Sequence, residues 1–216
     1  MKTATLTLAF SALISTTSIA ADKNAHALRV REDSARNHVW VLQREAVYLY
    51  DAKSRALRGR YELPDWIYVG DRYGCAPDLA VDAAGTAVVS SNIAPVLWRI
   101  DAAKHAVTRH ELVLDADRDK EVGFSGLAYA PDQGVFFAVS SLHGSLWRID
   151  PLLRRAQKIP LSTQITDACG LGLEQRKTRR TVVLCANGWT VHLTPDQRSG
   201  YVQPSSCRPY VTAASR

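Results

Sequence analysis

"VLWRID" at 96–101 returns as "SLWRID" at 145–150, and the reading of that repeated phrase decides the fold. Around it the chain runs "PDLAVDAAGTAVVSSNIAPVLWRIDAAKHAVTRHELVL" (77–114) and then "SGLAYAPDQGVFFAVSSLHGSLWRIDPLLRRAQKIPLS" (125–162). Both copies have one order: an apolar strand, a Gly turn, a strand ending Ser-Ser, a short loop, LWRID, a polar turn and a last strand. Asp101 to Asp150 and Gly85 to Gly134 are each 49 residues apart. A more diverged copy occupies 27–64, with Val47 to Asp51 in place of LWRID, and another occupies 169–204, with Thr190 to Thr194 there.

Within each copy the apolar runs are short, rich in Val, Leu, Ile and aromatics, and separated by Asp, Gly, Pro, Asn or Lys clusters. This is strand and hairpin punctuation, without helical period. One antiparallel sheet of four strands cannot bury both faces alone, so a repeat of this length stacks on its neighbours around an axis. The expectation is an all-β, four-bladed β-propeller over 21–216, with blades at 27–64, 77–114, 125–162 and 169–204. Trp98 and Trp147, at matching places on the third strands, are expected to pack between blades.

The first twenty residues carry one charge, Lys2, then an apolar run closing on Ser18-Ile19-Ala20. That is the plan of a cleavable signal peptide at 1–20. Leu6 to Ile19 is too short and too diluted by Ser and Thr for a membrane anchor, and no later stretch is apolar for long enough to span a bilayer. The expected destination is the periplasm or the exterior. Removing Lys2 takes the formal charge from +6 to +5, with no Lys/Arg cluster that marks a nucleic-acid footprint.

Four cysteines in an exported chain imply two disulfides and permit three pairings. A blade-four hairpin centred on Lys177 sets Cys169 opposite Cys185, which leaves Cys75 and Cys207 to tie the C-terminal segment across the ring. Cys169–Cys185 with Cys75–Cys207 is therefore the expected pairing.

"PDLAVDAAG", "SGLAYAPDQG" and "LWRID" resemble the blade phrases of the NHL, YVTN and gluconolactonase-like (SMP-30-type) propellers. The resemblance implies a ligand site at the channel mouth, where blade-joining segments and the loops between second and third strands gather. "DWIYVGDRYGCAPD" (65–78) crowds aromatic and charged residues there, so Trp66, Tyr68, Asp71, Arg72 and Tyr73, with the mouth histidine His143, are the candidate ligand-binding residues. SMP-30-type lactonases hold a divalent cation over the channel. At the matching strand starts this chain has Asp78, Ser125 and Cys169, of which Asp78 alone is a hard-metal ligand. Asp78, Asn92, Asp167 and Asn187 together offer an oxygen-rich set for Ca²⁺ or Mg²⁺.

"DADRDKEVGFSG" (115–126) fails as an EF-hand loop, because Lys120 stands where the turn needs Gly and Gly126 where the bidentate Glu belongs. No nucleophile motif or phosphate loop is present, and catalytic residues are not assignable. Two functional readings follow: a binding or interaction module for a small molecule or protein partner, and a metal-dependent lactonase-like hydrolase. A third concerns assembly, in which an incomplete ring is completed by another copy as a homo-oligomer.

Overall fold

The computed structural model describes residues 27–70, 75–118, 120–165, 167–174 and 182–207. The expected signal peptide, the candidate residues Asp71, Arg72 and Tyr73, and the hairpin centre at Lys177 lie outside the described residues.

Four antiparallel sheets follow one another along the chain. Blade 1 consists of β1 (Arg29–Asp33), β2 (His38–Leu42), β3 (Val47–Asp51) and β4 (Leu57–Tyr61). Blade 2 consists of β5 (Leu79–Val81), β6 (Ala87–Ser90), β7 (Val96–Asp101) and β8 (Ala106–Glu111), followed by the short β9 (Val113–Leu114). Blade 3 is β10 (Gly126–Ala130), β11 (Val135–Ser140), β12 (Ser145–Ile149) and β13 (Arg155–Ile159). Blade 4 is β14 (Leu171–Glu174), β15 (Val183–Ala186), β16 (Trp189–Leu193) and β17 (Gly200–Pro204). The arrangement is the four-bladed β-propeller, as the repeat implies.

The recurring phrase serves three purposes at once. Side chains alternate between the faces of a strand, so Trp98 and Ile100 join the apolar cluster shared with blade 1, while Leu97 joins the one shared with blade 3. One blade later, Trp147 and Ile149 pack toward blade 2 and Leu146 toward blade 4. The closing Asp holds the turn to the fourth strand, with Asp150 accepting from the amides of Leu152 and Arg154 at 2.9 Å each. Asp51 does the same from Ser54 N at 2.8 Å and from Arg58. The Ser54 amide, then the Arg58 guanidinium, hold its carboxyl well below the usual range.

The last strand of blade 2 departs from the expectation of one continuous run to Leu114. β8 stops at Glu111, and β9 runs parallel to β13 as a fifth strand of blade 3. Leu112 and Leu114 are buried in the cluster between blades 2 and 3, and that burial draws the chain across early.

The disulfides also depart from expectation. Cys75 pairs with Cys169, and Cys185 with Cys207. Cys185 lies opposite Gly172, so Cys169 falls before the strand, at the upper end of blade 4. There it meets Cys75, which precedes the inner strand of blade 2, across a Cα–Cα distance of 5.2 Å.

Two outcomes follow. Trp147, fully buried with Nε1 donating to Ser145 Oγ at 2.9 Å, loses about 3–5 kcal/mol of stability on Trp147→Ala, measurable as a lowered urea midpoint. Non-reducing peptide mapping recovers Cys75–Cys169 and Cys185–Cys207. Of the double serine variants, Cys75→Ser/Cys169→Ser lowers Tm more, because its bridge spans 94 residues against 22 and constrains the unfolded chain more.

Candidate functional site

The connectors entering blades 2, 3 and 4 and the loops between second and third strands meet at one end of the propeller, here termed the upper end. Contact there is tight. A Cβ on Gly123 would lie 2.1 Å from the Asn92 carbonyl carbon, and one on Gly126 2.6 Å from that of Gly170, so only glycine lets the connectors and inner strands approach so closely.

Asp78, fully buried at the head of β5, organises this end. Its Oδ1 accepts from Arg31 Nη2 and from the Leu79 amide, each at 2.7 Å, and Arg29 Nε lies 3.5 Å away. Its Oδ2 accepts from the amide of Leu127 on β10 at 2.7 Å. One carboxylate thus joins blades 1, 2 and 3. Neither arginine was singled out by motif. The available signal was positional: "RVR" occupies the innermost strand of copy one, where copies two and three have Leu and Ala.

The connector amides are held in a similar way. Asn92 Nδ2 donates to the carbonyls of Val69 and Cys75 at 3.0 Å each, while its Oδ1 is buried without a partner. Ser125, just ahead of β10 as Asp78 is of β5, donates through Oγ to Ala168 O at 3.1 Å and through its carbonyl accepts the Gly170 amide at 2.9 Å. The Cys75–Cys169 bridge closes over these contacts, linking the segments that enter blades 2 and 4.

The expected metal set fares unequally. Asp78 is committed to guanidinium and amide donors, and a carboxylate so neutralised suits a structural latch, since a dication there would face two arginines. Asp167 and Asn187 are exposed, on the connector and the β15–β16 turn of blade 4. Among the described residues, no group of three His, Cys, Asp or Glu is placed to hold a metal ion. The donor set does not fit the cation that the lactonase resemblance implies. In the acidic loop at 115–126, Lys120 and then Lys158 hold the Asp117 carboxyl below its usual range, and Asp115 Oδ1 accepts the Lys158 amide at 2.8 Å.

The aromatic connector also divides. Trp66 stands edge-on to Trp98, with centroids 5.0 Å apart, and its Nε1 donates to Arg44 O at 2.8 Å. Its indole is therefore spent largely on packing. Tyr68 lies half-buried with the Arg44 guanidinium 5.4 Å above its ring, and Ile67 between them is 63% exposed. His143 Nε2 contacts Glu121 O at 2.8 Å, beside Leu142, which is 55% exposed. Arg44, Ile67 and Leu142 are the rim residues that motif reading missed.

No family model matches the chain, and no characterised protein matches it by sequence. Solved structures do match in fold. Virginiamycin B lyase from Staphylococcus aureus superposes with a TM-score of 0.60 at 12% identity, covering 83% of this chain and 56% of that one. A streptogramin B lyase gives 0.56 at 12% identity, covering 87% and 55%. The β-propeller domain of Cps50 (Swd1) from Myceliophteria thermophila gives 0.53 at 11% identity, covering 87% and 57%. The chain thus spans little more than half the length of these propellers, and at such identities the likeness is one of fold.

Asp78→Ala leaves Arg31 and Arg29, whose side chains are 18% and 16% exposed, without their shared carboxylate. The expected cost is about 3–5 kcal/mol, read from chemical denaturation. Adding Arg31→Met to Asp78→Ala restores part of it, because the positive charge that Asp78 had neutralised goes with the guanidinium.

Proposed function

We propose that this protein is an exported, non-catalytic binding module that recognises a protein or small-molecule partner at its upper rim between blades 1 and 2. The observation that carries this reading is the exposed Ile67, which stands in sequence between Trp66, packed on Trp98, and Tyr68, which lies under Arg44. An apolar side chain presented at 63% exposure between two aromatic residues held in place, with a cation beside one of them, is the composition of a contact anchor. Asp71, Arg72 and Tyr73, which follow Val69 and Gly70 in sequence and lie outside the described residues, are proposed to contribute to the same recognition. His143 and Leu142 present a second contact on the loop of blade 3.

Catalysis finds less support. The carboxylate that a lactonase-like centre would need is tied to two arginines, and a disulfide joins the segments that enter blades 2 and 4. Export is supported by the apolar N-terminal segment and by two disulfides, which suit an oxidising compartment. Among the described residues no helix is long and apolar enough to cross a membrane.

Two measurements test this reading. A photo-crosslinking side chain at Ile67, exposed to the secreted and periplasmic fraction of the producing cell, is expected to give a saturable adduct. Excess wild-type protein competes it away and the Arg44→Ala/Tyr68→Ala variant does not; adducts indifferent to both competitors would overturn the rim assignment. Calorimetric titration with Ca²⁺ and Mg²⁺ is expected to show no stoichiometric heat. Stoichiometric binding that disappears in Asp78→Asn would instead return the function to a metal-dependent hydrolase.

A further inference from the structure

The inner strands of blades 2, 3 and 4 each present one large and one small residue to their two sides. Leu79 packs against blade 1 and Ala80 against blade 3, and Leu127 packs against blade 2 and Ala128 against blade 4. Three apolar clusters fill the junctions of blades 1 and 2, 2 and 3, and 3 and 4. Among the described residues no such cluster joins blade 4 to blade 1.

The two outer faces nevertheless carry the pattern of the junctions. On blade 1, Val47 and Leu49 point to blade 2, so Tyr48 and Tyr50 point away, at the places where Trp98 with Ile100 and Trp147 with Ile149 meet a preceding blade. Cross-strand pairing adds Val30 and Val41 beside Tyr48, and Leu57 beside Tyr50. Trp98, Ile100, Trp147 and Ile149 are no more than 3% exposed, whereas Val30 is 38% and Leu57 54% exposed. On blade 4, Leu171 packs against blade 3, and Gly172 takes the place of Ala80 and Ala128 toward a following blade. That face continues through Val183, His192 and Tyr201, and Tyr201 is 60% exposed.

We infer that two copies of this chain close head to tail, blade 1 of each against blade 4 of the other, into one eight-bladed ring. This chain covers 55–57% of each superposed propeller, so the blade-to-blade path there continues beyond the matched part, and a second copy would continue it here. A twofold axis makes both new junctions equivalent, so the assembly is closed and stops at two. Each junction covers Val30, Leu57 and Tyr201, the exposed apolar residues of the outer faces, and sets the Tyr48–Tyr50 pair against His192 and Tyr201, while Val41 and Val183 beneath them are already buried within each copy. The upper end, where the Cys185–Cys207 bridge and Ser205 fold against Thr190, stays at the margin of the contact.

Light scattering on the oxidised, signal-free protein tests this. Wild type is expected at twice the chain mass at micromolar concentrations. Tyr50→Arg on blade 1 and Tyr201→Asp on blade 4 each weaken the dimer by at least about tenfold, with near-UV circular dichroism and both disulfides retained. The double variant Tyr50→Arg/Tyr201→Asp regains dimer through the opposed charges. A monomeric wild type overturns the inference, and so does a dimer that Tyr50→Arg breaks while Tyr201→Asp does not, since that contact would be blade 1 against blade 1. The rim at Ile67 plays no part in this test.

Discussion

The ion pair of Asp78 with Arg31 and Arg29 is the constraint on which the upper end depends. Apolar clusters between blades are tolerant of sliding, because hydrophobic contact has no direction. A buried carboxylate with fixed donors on β1, β5 and β10 is not tolerant. Shifting blade 3 by one residue would remove the Leu127 amide from Oδ2, and moving blade 1 would part Asp78 from a guanidinium at less than one-fifth exposure. Register between three blades is therefore fixed at one atom group, and the connectors inherit their positions from it.

The same pair bears on the chemistry. The position at the head of the inner strand is open to several uses: in blade 2 it holds a charged latch, in blade 3 the neutral Ser125 links to Ala168 and Gly170, and just ahead of the inner strand of blade 4 Cys169 forms a covalent tie to Cys75. These are three solutions to one geometric problem, holding a connector against the next blade. An aspartate at a shared position is thus no guide to metal chemistry until its counter-ions are known.

The blades were legible in the sequence because alternation and spacing are local properties: Trp98 and Trp147 announce two interfaces by register alone. The site was less legible because it depends on what lies beside what. Nothing within "RVRED" marks Arg29 and Arg31 as partners of a residue 47 and more positions away. Trp66 looked like a contact residue by composition, yet Trp98 and the Arg44 carbonyl claim it. The disulfide pairing failed on a register difference: β14 begins two residues after Cys169, which turns a cross-strand neighbour into a mouth residue. A strand boundary is the least certain feature of a pattern reading, and cysteine pairing depends on it to the residue.

The two ends of the propeller differ in how much of their polar capacity is used within the chain. At the lower end the turns are short and repeated, and Asp51, Asp82, Asp101 and Asp150 each bind nearby amides of the chain that follows. Their acceptor capacity is used within a few residues, and the turns have little left to offer a ligand. At the upper end the connectors differ in length and composition in every blade, and they are fixed by long-range contacts: Asn92 to Val69 and Cys75, His143 to Glu121, Trp98 to Pro64. Connectors held this firmly can present a side chain such as Ile67 at low entropic cost. Sequence freedom combined with structural rigidity is what a recognition surface requires, and among the described residues the upper end combines the two.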